Sequence, residues 1–272
     1  MQIYSYFCTV KNLTDIIHPI AADLLRFEAY LEQTLRAETA PMDAILRYVQ
    51  ETKGKRLRAI LVLFSARLFG QISEKTCRAA TFVEMVHLAT LIHDDVVDDA
   101  DLRRGQASVK ARFGNHSAVL VGDYLLAKAM LLPDDHAILQ EMLHTAAAMS
   151  EGELMQGSAR MADHVNPETP YLDIITRKTA MLMRSCCAVG AMSVGASEEL
   201  VRQISDFGLS FGQLFQRRDD ILDADDAETT ALAQRLLPDC LQKTLDVLRV
   251  FAPSEIRTAL EELTMFCAFR EQ

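Results

Sequence analysis

The chain has 272 residues, half of them apolar, which is enough to bury a sizeable core in one or two domains. Its 28 Lys and Arg residues against 38 Asp and Glu residues give a net charge of −10, which argues against a nucleic-acid binder, because such proteins carry a basic face. With only 11 glycines and 7 prolines, the chain has too few turn residues for an all-β protein. The composition therefore predicts long helices.

Apolar residues recur with helical spacing along most of the chain, and no segment shows the sustained two-residue alternation of a strand. Ten helices are predicted, over residues 15–35, 41–49, 57–69, 73–101, 118–132, 135–157, 171–194, 198–222, 230–251 and 254–269. The segment "RRGQAS" after Leu102 is predicted to be a loop, and residues 223–230 a polar break. Because no stretch has the composition of a linker, we expect one all-helical domain over residues 1–272.

Neither a leader nor a membrane span is expected from the hydropathy pattern. Polar residues interrupt every apolar run in the first thirty residues, and charges break the later runs before the roughly 18 residues that a spanning helix needs. The six cysteines form no CxxC pair and no zinc-finger spacing, which favours reduced thiols in a reducing compartment. We therefore expect a cytoplasmic protein.

Two aspartate clusters hold as many charges as the whole net charge of the chain. Residues 94–101 and 219–226 contain five aspartates each, and each cluster includes the pattern Asp-Asp-x-x-Asp within apolar sequence. Carboxylates four residues apart lie on one helix face and repel each other unless a cation compensates them. Mg²⁺ accepts such carboxylates and usually shares them with substrate phosphate oxygens. The pairs at this spacing are Asp94 with Asp98 and Asp219 with Asp223.

Two other interpretations of these clusters are possible. A solvated acidic helix end would explain one cluster, but two copies inside apolar sequence disfavour it. A metal-dependent phosphohydrolase would use His93 and Asp94 as a metal pair, with His87 upstream, and would leave the second cluster without a role.

Basic residues near the first cluster indicate a phosphorylated ligand. The segment "GKRLR" places Lys55 and Arg58 on one face near a predicted helix start, where backbone N–H groups favour anions. Arg103 and Arg104 follow the first aspartate cluster directly, and guanidinium groups bind phosphate oxygens in pairs. With the two carboxylate clusters, these residues predict a diphosphate site with metal ions on one side and cationic side chains on the other.

At this point the chain resembles the trans-isoprenyl diphosphate synthases, or polyprenyl synthetases, and among them the bacterial long-chain, octaprenyl-type enzymes. The resemblance covers most of residues 15–225, and its motifs occur in the order of the family. They are "GKRLR" at 54–58, "HLATLIHDDVVDDADLRRG" at 87–105, "GN" at 114–115, "VLVGDYLLAKA" at 119–129, "EGELMQ" at 151–156, "RKTA" at 177–180 and "FQRRDDILD" at 215–223.

The resemblance implies the class I isoprenoid synthase fold, with mostly antiparallel helices around a central cavity, and a homodimer. It implies an enzyme that joins isopentenyl diphosphate head-to-tail to an allylic prenyl diphosphate and releases diphosphate. Mg²⁺ would be the cofactor.

Residue roles follow from matched positions of the resemblance. Those expected to bind isopentenyl diphosphate are Lys55, Arg58, His87 and Arg104. Those expected to contact the allylic substrate are Arg103, Lys178, Thr179 and Gln216. The expected Mg²⁺ ligands are Asp94, Asp98 and Asp219, and the catalytic set also includes Asp95, Asp220, Asp223 and Lys178.

The resemblance also bears on product length. In short-chain members of the family, the positions that match Ala89 or Thr90 are commonly aromatic and block the cavity. Both residues are small here, and Val86 and Met85 lie one turn further from Asp94 on the same helix. We therefore expect a long-chain trans-polyprenyl diphosphate as the product.

One departure from the family follows the second aspartate motif. The family usually has a longer segment there with a Gly-Lys and a second lysine-bearing loop, whereas this chain has no lysine between Lys178 and Lys243. The domain is thus expected to be shortened after residue 225. Two alternatives stay open: a class I terpene cyclase, which the basic residues disfavour, and a non-catalytic subunit of a heteromeric synthase, which the missing segment favours.

Overall fold

The structure, a computed structural model, describes residues 11–51, 54–159 and 168–271, and these are almost entirely helical. The helices are α1 (Leu13–Ile16), α2 (Ala21–Thr34), α3 (Ala40–Glu51), α4 (Leu57–Phe69), α5 (Glu74–Val97), α6 (Val109–Phe113), α7 (Asn115–Met130), α8 (His136–Ala159), α9 (Glu168–Ile175), α10 (Met181–Ser193), α11 (Glu198–Asp223), α12 (Ala227–Leu248) and α13 (Glu255–Phe269). A 3₁₀ turn, His18–Ile20, precedes α2, and a π turn, Thr176–Ala180, joins α9 to α10.

With α9, the π turn and α10 counted as one continuous helix, the described residues contain ten helices longer than two turns. The predicted all-α class is therefore confirmed. One apolar core extends from Ile16 in α1 to Cys267 in α13. In α4, the eight residues from Ala59 to Ala66 are all buried, so this helix runs through the interior with neighbours on every side.

Helix α5 ends four residues earlier than the sequence predicts, at Val97 rather than Asp101. The N–H groups of Asp99 and Ala100 donate to the carbonyls of Val96 and Asp95, and Asp99 adopts a left-handed φ of 53°. These two hydrogen bonds form a Schellman motif, which satisfies the last carbonyls of a helix. Aspartates at a helix C-terminus oppose its negative end, so the acidic run stops the helix rather than extending it.

The predicted loop after Leu102 is a small antiparallel hairpin. Strand β1 (Leu102–Arg103) pairs with β2 (Gln106–Ala107) across a two-residue turn. Arg104 and Gly105 in that turn have positive φ values of 51° and 78°, as the tight turns of hairpins require. The hairpin turns the chain back directly after the first aspartate cluster.

The polar break between α11 and α12 is shorter than predicted. Only residues 224–226 lie outside the helices, and α12 begins at Ala227 because Asp226 accepts a hydrogen bond from the Thr229 N–H as its N-cap. Pro238 lies inside α12, where the sequence pattern alone had already placed a helix.

The structure bears on two further predictions, reduced cysteines and the absence of a membrane-spanning helix. The cysteines in the described residues are all buried and free, namely Cys77, Cys186, Cys187, Cys240 and Cys267, whereas Cys8 lies outside the described residues. Across those residues, none of the helices combines the length and the apolar character needed to cross a bilayer.

The end of α11 yields a stability prediction. Ala224 follows the helix with a left-handed φ of 50°, which costs free energy for a residue that carries a Cβ. We expect Ala224→Gly to raise the free energy of unfolding by about 0.5–1 kcal/mol in urea titrations. The control is Ala231→Gly at an exposed position inside α12, which should lower the free energy of unfolding by about 1 kcal/mol. A loss of stability in both variants would contradict this account.

Candidate active site

The first aspartate motif lies at the end of α5. Asp94 occupies its last turn, and Asp98 is the C-cap residue, so the two stay one turn apart as the spacing predicts. Burial raises the pKa of the Asp94 carboxyl to about 6, and the nearby Glu153 carboxylate adds to this effect. Burial next to like charges disfavours the ionised carboxylate, which a divalent cation would stabilise.

Asp95, the middle residue of this motif, has a different environment. Its side chain is almost fully buried, and its Oδ1 accepts hydrogen bonds from both Nε and Nη2 of Arg103, with the Nε bond at 2.8 Å. Two charge-assisted hydrogen bonds to the same carboxylate fix the guanidinium in one orientation. Asp95 thus positions Arg103 beside the motif, and its catalytic role stays a prediction.

Arginines converge on His87, which lies about two turns before the motif on α5. Burial lowers the pKa of the His87 ring well below its ordinary value, and the positive charges of Arg58 and Arg104 lower it further. The Arg104 guanidinium lies over Gly54, where a Cβ would come within 2.5 Å of Arg104 Nη1. Glycine at residue 54 thus leaves room for the Arg104 guanidinium in this position. The structure brings together three of the four residues predicted to bind isopentenyl diphosphate, and Lys55 is exposed next to Gly54.

One atom in this arginine cluster points to an anionic ligand. The Nε of Arg58 is buried and has no hydrogen-bond partner among the described residues, and burial lowers the pKa of its guanidinium. A buried donor without an acceptor is costly, so an oxygen-rich anion would stabilise it.

Glu84 is a member of this site that sequence reasoning missed. Its buried carboxylate accepts a hydrogen bond from the Ala59 N–H in the first turn of α4, and its Oε2 lies 3.5 Å from Nη1 of Arg56. The carboxylate therefore holds the start of α4, with Arg58 on it, against α5. A glutamate in the otherwise apolar stretch before His87 is the signal that could have identified it.

The second aspartate motif lies at the end of α11. Burial raises the pKa of Asp219 to about 6, Arg270 opposes the rise, and Asp223 and Asp220 add to it. Asp219 Oδ1 accepts a hydrogen bond from Nη2 of Arg270, which directly follows α13. Arg270 is a second residue that sequence reasoning missed, since nothing in its local sequence connects it with a motif 51 residues away.

A chain of hydrogen bonds ties the second motif to the π turn. Thr179 donates to Gln216 at 2.7 Å, and Gln216 donates in turn to Asp220 at 2.9 Å. The Tyr171 hydroxyl donates to the other oxygen of Asp220 at 2.7 Å. Both carboxylate oxygens of Asp220 therefore accept hydrogen bonds from protein side chains. The same contacts connect two residues of the predicted allylic subsite, Thr179 and Gln216.

Lys178 links the two motifs. It forms an ion pair at 2.6 Å with Glu153 of α8, and its positive charge opposes the rise in the pKa of Asp94. Its neighbour Thr179 belongs to the chain of hydrogen bonds that ends at Asp220. The π turn that carries Lys178 widens the helix by one residue, a device that often marks functional sites. Gly152 permits the approach of α8, because a Cβ there would lie 2.6 Å from the Lys178 amide nitrogen.

The donor set suits Mg²⁺, although protein side chains alone do not complete a site. Carboxylate oxygens are the ligands that this ion prefers, and each motif presents a partly buried carboxyl with a raised pKa, Asp94 in the first and Asp219 in the second. Within the ranges that the structure describes, no three acidic, histidine or cysteine side chains converge on one point. Asp94, Asp98 and Asp219 would hold the ion, and Asp223 lies one turn from Asp219. Their metal-binding roles stay predictions.

The residues predicted to control product length lie on α5 behind the first motif. Ala89, Val86 and Met85 are buried in the core, and the Thr90 hydroxyl donates to the His87 carbonyl within the helix. Their role in chain length also stays a prediction.

The phosphohydrolase interpretation does not fit the geometry. The His93 ring nitrogen Nε2 lies 3.2 Å from the Val119 carbonyl oxygen and 3.5 Å from Asp123, both on α7. His93 thus faces the neighbouring helix, and His87 lies among arginines, which repel a cation.

The raised pKa of Asp94 predicts how stability depends on pH. A carboxyl whose pKa rises from 3.8 when unfolded to about 6 when folded stabilises the folded protein below about pH 4 and loses that contribution as pH rises to about 6. In metal-free protein at about pH 8, Asp94→Asn should therefore gain on the order of 1 kcal/mol, after allowance for solvent screening. At about pH 4.5 the gain should fall to about a third of that, because the unfolded carboxyl is still largely ionised there.

Thermal unfolding in a chelator at the two pH values measures this difference. Asp239→Asn, on the exposed face of α12, is the matched control and should change stability equally at both. A pH-independent effect of Asp94→Asn would contradict the assignment.

Comparison with known proteins agrees with this geometry. Residues 39–262 match the family described as polyprenyl synthetase. The chain is 35% identical to heptaprenyl diphosphate synthase component 2 of Geobacillus stearothermophilus over 250 residues, which cover 89% of this chain and 76% of that protein. It is 36% identical to octaprenyl diphosphate synthase of Haemophilus influenzae over 192 residues, which cover 70% of this chain but only 58% of that protein.

A solved structure matches almost the entire fold. A polyprenyl synthase from Caulobacter crescentus CB15, crystallised with calcium and isoprenyl diphosphate, superposes with a TM-score of 0.89 at 26% identity and covers 97% of this chain and 99% of that one. The order of the motifs, the helical fold and these likenesses agree, and the chain belongs to the polyprenyl synthetase family.

Proposed function

We propose that the protein is a trans-prenyltransferase that adds isopentenyl diphosphate to an allylic prenyl diphosphate. Asp94 and Asp219 are partly buried carboxyls at the ends of two helices, and the charge of Asp219 acts on Arg58, whose Nε is a buried donor without a hydrogen-bond partner among the described residues. This pairing of carboxylates with free cationic donors is the observation that carries the proposal. Family membership supports polyprenyl diphosphate synthase activity, and the isoprenyl diphosphate bound in the Caulobacter crescentus relative supports the substrate class.

In the proposed reaction, the allylic carbon–oxygen bond breaks and diphosphate leaves with the electron pair. The double bond of isopentenyl diphosphate forms the new carbon–carbon bond, and the proton that is then lost goes to the released diphosphate. Mg²⁺, when bound by the aspartates, would supply positive charge to the leaving diphosphate. Arg103 and Lys178 are the side chains placed to neutralise the same charge, since Asp95 and Glu153 hold them beside the motifs.

The second substrate would bind about two turns before Asp94 along the same face of α5, because His87 lies seven residues earlier on that helix. Arg58, Arg104 and the neutral ring of His87 offer donors to a diphosphate, with exposed Lys55 at the entrance. The apolar residues of α5 behind Asp94 would shelter the carbocation and the growing chain from water.

We also propose a long-chain product, because small residues occupy the positions before the first motif. Relatives at similar identity include an octaprenyl and a nonaprenyl diphosphate synthase. The direct test is to incubate purified protein with Mg²⁺, farnesyl diphosphate and labelled isopentenyl diphosphate and to chromatograph the dephosphorylated products. Elongated products support the proposal, whereas a cyclised hydrocarbon would indicate a terpene cyclase.

A second candidate is a subunit that needs a partner chain for full activity. The relative from Geobacillus stearothermophilus is named component 2, and this chain has no lysine between Lys178 and Lys243. We infer that the domain is shortened after residue 225. The same assay separates the candidates, because such a subunit would give no product until its partner is added.

We propose a homodimer through α7. Val119 and Leu120 are 41% and 48% exposed, and Met130 and Leu131 are 40% and 84% exposed. The second pair lies eleven residues, or about three turns, after the first, so the four side chains share one face. An exposed apolar stripe of this kind marks a protein interface, and the partner we propose is a second copy of the chain.

The two substrate sites should separate by mutation. We expect Arg58→Ala to raise the KM for isopentenyl diphosphate about ten- to a hundredfold through loss of a charge-assisted phosphate contact. The KM for the allylic primer should change little. Steady-state kinetics with each substrate varied in turn measures both values. Arg249→Ala, which removes an exposed ion pair with Asp246, is the control, and equal effects of Arg58→Ala on both KM values would contradict the assigned subsites.

Product length should respond to side-chain size at Ala89. This residue lies about 6–8 Å from Asp94 along α5, at 1.5 Å per residue, and it is fully buried. We expect Ala89→Phe to shorten the main product and Ala89→Leu to shorten it less, because the larger side chain fills more of the path. Chromatography of dephosphorylated products compares the three proteins, and unchanged lengths in folded variants would show that Ala89 does not line the path.

A further inference from the structure

The residue after α13 reaches into the second aspartate motif. Arg270 bonds Asp219 through Nη2, and its guanidinium carbon lies 4.3 Å from the centroid of the Phe215 ring. Its side chain is only 11% exposed. The guanidinium is thus held on one side by a carboxylate and on the other by the face of an aromatic ring, an arrangement that favours a fixed cation.

A second arginine holds the backbone of the first. Arg218, next to Asp219 in α11, donates from Nε and Nη2 to the carbonyl oxygen of Arg270, with the Nε bond at 2.9 Å. A guanidinium can make both bonds to one oxygen, whereas a lysine cannot do so in the same plane. Arg218 therefore attaches the chain after α13 to α11, at the place from which the Arg270 side chain reaches Asp219.

This contact competes with metal binding. Asp219 is a predicted metal ligand, and its Oδ1 accepts a hydrogen bond from Arg270. A divalent cation at the same oxygen would be repelled by the guanidinium at close range. Arg270 therefore competes with a metal ion for this oxygen of Asp219. The Arg270 Nε is buried without a partner among the described residues, so this donor does not help to hold the guanidinium in place.

We propose that Arg270 is a built-in counter-ion of the second aspartate motif, which occupies Asp219 in the metal-free enzyme and yields it when Mg²⁺ arrives with a diphosphate. Arg218 is the positioning residue of this device. The proposal rests on the proposed function for the identity of the incoming ligand, while the Arg270–Asp219 contact itself is independent of it.

Because the Arg270–Asp219 contact stabilises the metal-free state, it lowers the apparent affinity of Asp219 for a metal ion. A ligand that binds only the open form has its apparent affinity reduced by the fraction of protein that is open. If the contact is worth about as much as a measured partly exposed ion pair, removal of Arg270 should tighten Mg²⁺ binding about three- to tenfold. Free Mg²⁺ would thus be held weakly until the ion comes with diphosphate.

A double-mutant cycle tests the contact in metal-free protein at about pH 8. The four proteins are the parent, Asp219→Asn, Arg270→Gln and the double variant, unfolded in urea with a chelator present. Asp219→Asn should raise stability more in Arg270→Gln than in the parent, because Arg270 compensates the buried carboxylate only in the parent, so the two substitutions couple. In an Arg218→Ala background the coupling should fall. Zero coupling would overturn the proposal, and an unchanged coupling in Arg218→Ala would remove the positioning role.

The second experiment measures the Mg²⁺ concentration that gives half of the thermal stabilisation at saturating inorganic diphosphate. Arg270→Gln should need about three- to tenfold less Mg²⁺ than the parent. Arg270→Lys, which keeps the charge, should lie between them. Arg249→Gln is the matched control, since it removes an exposed arginine–aspartate pair at the end of α12 and should not change the midpoint.

The outcomes of the two experiments are distinguishable. An equal or higher midpoint in Arg270→Gln would overturn the counter-ion role, and a higher one would indicate instead that Arg270 binds the diphosphate. If Mg²⁺ and diphosphate stabilise none of the proteins while the double-mutant cycle still shows coupling, the proposed function fails and the contact is purely structural.

Discussion

Repulsion among carboxylates at two helix ends is the constraint on which the rest of this structure depends. Both aspartate motifs occupy the last turn of a helix, α5 or α11, where unpaired backbone carbonyls already contribute negative charge. The raised pKa values of Asp94 and Asp219 reflect burial and the charges around them. The cations that compensate them come from elsewhere in the chain. Arg103, Lys178 and Arg270 are each fixed by a carboxylate, so positive charge is distributed around the motifs before any ligand binds.

Backbone strain in the described residues is concentrated next to the same motifs. The non-glycine residues with left-handed φ in this part of the chain are Arg56, Asp99, Arg104 and Ala224. The first and third lie in the two arginine segments, and the other two follow the first and second aspartate motifs. Each lies in a short segment next to a helix or in the hairpin turn, and such strain persists where the surrounding structure holds it in place. The short turns keep the charged groups at the ends of the bundle and leave its interior apolar.

Much of the fold and part of the site could be predicted from local pattern. Apolar periodicity located all ten long helices, because a helix that packs on a core must repeat its buried face. The same reasoning misjudged helix ends, as at Val97, where backbone capping and the charge of the acidic run decide the last residue. Sequence reasoning missed Glu84, Tyr171 and Arg270 because their partners lie 25 to 51 residues away, beyond any helical repeat.

The sequence by itself determined the helical class, the two carboxylate pairs and the basic segments, since spacing of three or four residues sets which side chains share a helix face. Only the tertiary structure decided which partner each carboxylate contacts. Asp95 turns to Arg103 and Asp220 to Tyr171, while Asp94 lies beside Lys178 and Asp219 beside Arg270. The physical reason is that a carboxylate's role depends on its burial and on the charges that face it from other helices, and only packing brings those charges within reach.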